Sequence, residues 1–178
     1  QLYLYDLLPG GAGYARAVGD ALPAVLDATE TLLAGCDCPS SCYRCIRHYG
    51  NNWIHSSLDR HLALALLRHI RSAEIPEMTL ADKQSALTGL SELLSLRGVP
   101  FQSARNIKGV IVPMVLQLPA GELCLDVHHP LIDSEKAGSA VIEVANSQFM
   151  ESLSIDAFEL IHDLPSAIAR LKLPGAVQ

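Results

Sequence analysis

The stretch Cys36–Cys45 reads CDCPSSCYRC and holds four of the chain's five cysteines within ten residues. The spacing is C-x-C-x3-C-x2-C, so short turns alone can bring all four sulfurs to one centre. Four readings compete for it. Two disulfides in so short a span strain the geometry that a bridge requires, and the rest of the chain has no secreted character. A redox pair uses Cys42 and Cys45 as C-x-x-C, but it leaves two thiols without a task and does not open a helix after a strand. An iron–sulfur cluster takes four cysteines, although at spacings that differ from the ferredoxin ones. One zinc ion uses every sulfur, because zinc accepts tetrahedral thiolate ligands at about 2.3 Å. The residues favour this last reading, with Cys36, Cys38, Cys42 and Cys45 as ligands. Protein then fills all four positions, no site remains for water, and the metal is structural. His48 and His55 are near enough to replace a ligand, while Cys124 sits alone in an apolar stretch and reads as core.

Helical patterns flank the cysteines. Upstream, Leu2–Asp6 alternates like a short strand and runs into LPGGAGYA, where three glycines make a tight turn before a helical stub over 14–19. PGGAGY lacks the Lys-Ser/Thr of a P-loop and the longer glycine pattern of a dinucleotide site, so a turn fits better than a phosphate cradle. Pro23 suits the first turn of a helix capped near Asp20 and ending at Gly35, with Leu22, Val25, Leu26, Leu32 and Leu33 along one face. Downstream, HYGNNWIHSS reads as irregular. Ser57 then caps a helix LDRHLALALLRHIRSA, in which Leu58, Leu62, Ala65, Leu66 and Ile70 follow the helical period and Arg60, Arg68 and Arg71 face water or a ligand.

Past the break at IPEM, Thr79 and Asp82 form a loose capping box for a helix that carries Leu87, Leu90, Leu93 and Leu94 and stops at Gly98. The pattern then turns strand-like. GVIVPMVLQL and LCLDVHH form a hairpin around PAGE, SAVIEVAN reads as a later strand, and FELIHDLPSAIARL fits either a last strand or a closing helix. His128 and His129 adjoin in a strand and point to opposite faces, one buried and one exposed. The expected class is α+β: a helical zinc-binding lobe over 1–75, then a small α+β domain with a mainly antiparallel sheet over 76–178.

The chain has 178 residues, 49% of them hydrophobic, and a net charge of −6. It is therefore globular in composition and, as a whole, no electrostatic trap for nucleic acid. No apolar run is long enough for a membrane span and no export signal opens the chain, so we expect a cytoplasmic protein. The strand-like start without Met suggests a piece of a longer polypeptide. Charge is uneven: residues 36–72 sum to +3, against −3 for 1–35 and −6 for 73–178. Polyanion contact would centre on that middle third, at Arg44, Arg47, Arg60 and Arg68, with His61 and His69 on the same helix. Tyr14, Tyr43, Tyr49 and Trp53 either stack on bases beside these arginines or cover the small metal lobe.

DLLPGGAGYA, followed by CDCPSSCYRCIRHYGNNWIHSSLDRHLALALL, resembles the MrfA-type zinc-binding domain of superfamily 2 DEAD/DEAH helicases and of the DrmB component of DISARM phage defence. Four pieces occur in the family's order over about residues 3–70: the Pro-Gly-Gly turn, the close cysteines, a Tyr-x-Asn-like segment and a Leu-Asp-Arg helix. The resemblance implies zinc on Cys36, Cys38, Cys42 and Cys45. It also implies an accessory module, at the carboxyl end of a helicase, that positions DNA or RNA or stabilises the assembly in DNA repair or defence. Its partners would be nucleic acid and the helicase domains of the parent chain or of a partner, with no membrane. On this reading the fragment is not itself an enzyme.

Two alternatives remain. A protein-docking scaffold without nucleic-acid contact suits the acidic total, whereas phosphate binding through the arginines would weaken steeply with salt. A degenerate PD-(D/E)xK nuclease would use Asp126 on one strand and Glu143 on a later one to hold Mg²⁺, but Ala145 stands where its lysine belongs.

Overall fold

The computed structural model describes residues 5, 11–133, 137–171 and 173. The expected strand at Leu2–Asp6 and the start of the glycine turn lie largely outside the described residues. Two compact units divide the chain, Gln1–Glu74 and Ile75–Gln178.

The first unit is helical. Gly13, at φ +78°, caps α1 (Tyr14–Asp20) in a left-handed conformation that glycine adopts without steric cost. Helix α2 (Leu22–Ala34) carries Pro23 in its first turn and stops at Gly35, but its N-cap is Ala21 rather than Asp20, which still belongs to α1. Of the face expected for α2, Leu33 is buried while Leu22 and Leu32 stay exposed. The segment expected to be irregular is a 3-10 helix, Tyr49–Ser57, kinked at Asn51. Helix α3 (Arg60–Ser72) is capped by Asp59, not Ser57: its carboxylate accepts from the backbone N–H groups of His61 and Leu62. The face of α3 is also turned from the expected one, with Leu66 and Ile70 exposed and Arg60, Ala65 and Leu67 buried. Among the described residues of this unit only Leu33, Cys36, Ala65 and Leu67 are buried apolar side chains. That is too little enclosed surface to offset the chain entropy of some 70 residues.

The second unit is a four-stranded sheet between helices. The capping box forms as expected: Thr79 N–H donates to Asp82 Oδ2 at 2.9 Å, and Asp82 N–H to Thr79 Oγ1 at 3.2 Å. It opens α4 (Leu80–Ala86), which breaks at Leu87 before α5 (Thr88–Leu96), so the single expected helix is two. Strands β1 (Phe101–Ile107), β2 (Val110–Leu118) and β3 (Gly121–His128) are antiparallel, and β4 (Glu151–Asp156) runs parallel to β3 in the order β1-β2-β3-β4. Of these, β2 and β3 form the expected hairpin. Pro113 is fully buried in central strand β2, where it can donate no ladder bond; the pairing skips Ala104 opposite it, where Ala104 takes φ +51°, and resumes in the same register at Arg105↔Val112.

SAVIEVAN corrects the expectation of a strand: it is α6 (Ser139–Asn146), the crossover from β3 to β4. A parallel neighbour cannot be reached by a tight turn, so the chain crosses the sheet as a helix. Val141, Val144 and Ala145, spaced for one helical face, bury against Val112, Val115 and Cys124. On another cluster, Leu90, Leu94, Leu116, Leu125, Val127 and Ile155 pack with the closing helices α7 (Ala157–His162) and α8 (Leu164–Arg170). The ambiguous tail is thus helical. Among the described residues no helix is long and apolar enough to cross a membrane.

Candidate metal centre

The four cysteines lie on the loop that leaves α2. Their sulfurs all fall within 4.8 Å of one another, with Cys36–Cys42 at 3.5 Å, Cys38–Cys45 at 3.7 Å and Cys42–Cys45 at 3.8 Å. Four sulfurs bound at about 2.3 Å to one tetrahedral ion stand about 3.8 Å apart, so these separations suit a single metal atom. They are far too long for sulfur–sulfur bonds, and all five cysteines are free thiols. An iron–sulfur core would push its own iron and sulfide atoms between the thiolates and spread them further.

Backbone and side chains set up this tetrahedron. The N–H of Cys42 points at Cys45 Sγ at 3.2 Å, and that of Arg44 at Cys42 Sγ at 3.4 Å. The carbonyl of Cys42 accepts from the N–H groups of Cys45 and Arg47, which winds the last two ligands into one tight turn. The Arg44 N–H holds the Cys42 thiol down at about 6, while desolvation and the neighbouring thiols push Cys38 up to about 12. The thiolates in turn raise the pKa of the Arg44 guanidinium further, through its contact with Cys42.

Arg60 corrects a sequence expectation. Its side chain is not presented to a ligand; the residue is 8% exposed and donates from Nε to the Cys38 carbonyl at 2.8 Å and from Nη1 to the Leu33 carbonyl at 2.9 Å. Its own N–H donates to the Ser40 carbonyl at 2.7 Å. Arg60 therefore staples the end of α2, the cysteine loop and the start of α3 together. A sequence signal for this existed: a cation in the first turn of a helix opposes the helix dipole, and such a residue needs a reason to be there.

Asn51 is a second organiser that sequence reasoning missed. Its Nδ2 donates to the Ile46 carbonyl at 2.9 Å, and its Oδ1 accepts from the His48 N–H at 2.8 Å and from His55 Nε2 at 2.9 Å. His55 also meets the Tyr43 ring edge-on, centroids 5.5 Å apart. His48 accepts the Gly50 N–H on Nδ1, so close that a Cβ at Gly50 would stand 3.0 Å from the imidazole. Both histidines thus serve the loop, and neither joins the sulfur cluster.

The remaining expected residues scatter. Arg44 is exposed. Arg47 donates to Ser41 Oγ and the His55 carbonyl. Arg68 and Arg71 bind Glu30, and Arg71 also Asp27, bridging α3 to α2. Tyr14, Tyr43, Tyr49 and Trp53 are 70–88% exposed and do not cover the metal lobe. His61 is exposed, and His69 contacts the Glu74 carbonyl. In the second unit Glu143 lies exposed on α6, not on a strand, and the Asp126 carboxylate is buried against Lys83 Nζ at 2.7 Å. The carboxylate pair of the nuclease reading is thus not assembled. Among the described residues, the four cysteines are the one His/Cys/Asp/Glu group placed to hold a cation. His128 is buried and His129 half-buried, and Cys124 is core.

Residues 1–46 match the family model of the MrfA Zn-binding domain, a span that includes all four cysteines. This segment is similar to that domain. A Zn-binding family match and four cysteines positioned to hold one ion together support a structural zinc. Asn51 and the Leu-Asp-Arg turn lie beyond the matched span. Over 169 residues, 94% of its length, the chain is 35% identical to the Druantia protein DruE of Escherichia coli (strain UMEA 4076-1). It spans 9% of that protein's length. No solved structure matches the chain.

Proposed function

We propose that the chain is a zinc-stabilised accessory module of an ATP-driven DNA or RNA helicase in phage defence, positioning nucleic acid or bracing the helicase assembly. The carrying observation is four cysteine sulfurs close enough to share one cation; a metal held by all four has no open position, which suits a brace and not a reaction. The likeness to a Druantia protein of far greater length supports a place within a larger defence assembly. On this reading 1–75 is the metal lobe, 76–178 docks on the parent chain or a partner, and neither carries catalysis.

Arg44 leads the phosphate contacts; Arg47 and Arg68 are further candidates, each already tied within the unit. Four thiolates around a divalent ion carry a formal charge of roughly −2, which mutes phosphate affinity close to the metal. The test is strand separation by the full-length parent with Cys42→Ser and Cys45→Ser together. Loss of unwinding with ATP hydrolysis retained is expected; unwinding at the wild-type rate with zinc absent contradicts the proposal. A docking role without nucleic-acid contact is favoured by the acidic total, and predicts binding to helicase domains that Arg44→Ala leaves unchanged.

A further inference from the structure

We propose that residues 38–58 form a platform for single-stranded nucleic acid, on which nucleobases stack against Trp53, Tyr49 and Tyr43 while Arg44 takes a phosphate. This rests on the reading above that the module handles nucleic acid. Tyr43, Tyr49 and Trp53 are 70%, 88% and 80% exposed. Rings of that size are ordinarily the first to be buried, and leaving three in water within eleven residues costs stability unless something covers them.

Two properties of the segment point to a polyanion with flat bases. The first is charge. From Cys38 to Leu58 there is no Asp or Glu, while Arg44, Arg47, His48 and His55 all fall within it; Asp37 and Asp59 bound it on either side. In a chain with 19 acidic side chains, an acid-free stretch of 21 residues leaves only the thiolates of the metal turn to repel phosphate there. The second is rigidity. Asn51 binds Ile46, His48 and His55, His55 supports Tyr43, and the zinc turn fixes Arg44. The rings therefore stand on a preformed frame and lose little freedom on binding. Because the metal site itself is negative, base faces rather than phosphates are the main handle. Stacking takes any base and requires unpaired ones.

Trp53 is the chain's single tryptophan, so its fluorescence reports directly on this platform. The zinc-loaded chain is titrated with oligo(dT), oligo(rU) and a duplex of equal length. We expect quenching by one or both single strands and little by the duplex. We also expect a shallow salt dependence of one or two phosphates' worth, about −0.7 per phosphate in the log–log slope. Trp53→Ala and Tyr49→Ala should each weaken binding about ten-fold, read by anisotropy of labelled oligonucleotide, with zinc content and melting unchanged. Equal quenching by oligo(dT) and oligo(rU) assigns the shared base chemistry, and a preference for one assigns that nucleic acid. Fluorescence untouched by both single strands overturns the platform, as does tight binding that survives both ring substitutions. If oligonucleotides then leave Trp53 untouched while Trp53→Ala impairs unwinding by the parent protein, the rings dock on protein: the platform fails and the accessory-module reading stands.

Discussion

Arg60 donates from Nε to the carbonyl of Cys38 at 2.8 Å, and the same guanidinium reaches the Leu33 carbonyl at 2.9 Å. A side chain 27 residues from Leu33 thereby holds the loop on which the ligands converge. Hydrogen bonds from a buried charged donor are worth about 1.5–3 kcal/mol each, and removing the donor leaves two carbonyls without it. Arg60→Ala should therefore destabilise the first unit by about 3 kcal/mol or more and speed zinc loss to a colorimetric chelator. Arg60→Lys should recover little, because an ammonium lacks the planar fork that spans both carbonyls.

Zinc binding should release protons in a pattern set by the two perturbed thiols. Cys42, held at about 6, is already a thiolate at neutral pH and contributes no proton; Cys38, pushed up to about 12, is protonated and must give one up. As pH falls through about 6, Cys42 takes up a proton that the metal must also displace, so the apparent zinc affinity falls more steeply below that point. Calorimetry in buffers of different ionisation enthalpy measures the proton count; a count that does not rise between pH 7.5 and 5.5 contradicts the assignment.

The Lys83–Asp126 pair joins α4 to β3, with the carboxylate nearly buried and the ammonium partly open to solvent. Lys83→Ala leaves a buried charge without its partner and should cost the second unit about 3 kcal/mol in urea unfolding. Lys83→Ala with Asp126→Ala should cost less than Lys83→Ala alone. A loss in the double variant equal to the sum of the two single losses would show that the pair does not interact.

His128 is buried beside Ser154, 2.8 Å from its Oγ, and desolvation lowers its pKa below the usual 6.5 despite the nearby Asp156 and Asp126. A folded pKa below the unfolded one means that the unfolded chain binds more protons, so this contribution is full above about pH 6.5 and is lost as pH falls toward the folded value. His128→Gln should flatten the stability of the second unit between pH 7 and 5. An unchanged pH profile would exclude His128 as its source.

The convergence of the four cysteines was legible because their spacing favours one shared centre, and so were the β2–β3 hairpin and the Thr79–Asp82 cap, each set by local chemistry. What sequence missed was decided by distant partners. SAVIEVAN is rich in β-branched residues, yet the parallel pairing of β4 with β3 requires a crossover there, and that pairing involves residues beyond its own window. Strand β1 carries little sequence signal because its outward residues are polar and its apolar positions are few. Arg60 looked like a surface cation because helical periodicity counts apolar residues and cannot see two carbonyls waiting inside.

The central claim is that one zinc ion on four sulfurs gives the first unit the cohesion that Leu33, Ala65 and Leu67, the buried apolar side chains among its described residues apart from Cys36, cannot. Metal analysis paired with amide hydrogen exchange before and after chelation tests it most directly. The account predicts one zinc per chain, and loss of protection across α2 and α3 on its removal while β2 and β3 stay protected. Iron or no metal in the purified protein, or α2 and α3 amides equally protected after chelation, would contradict it.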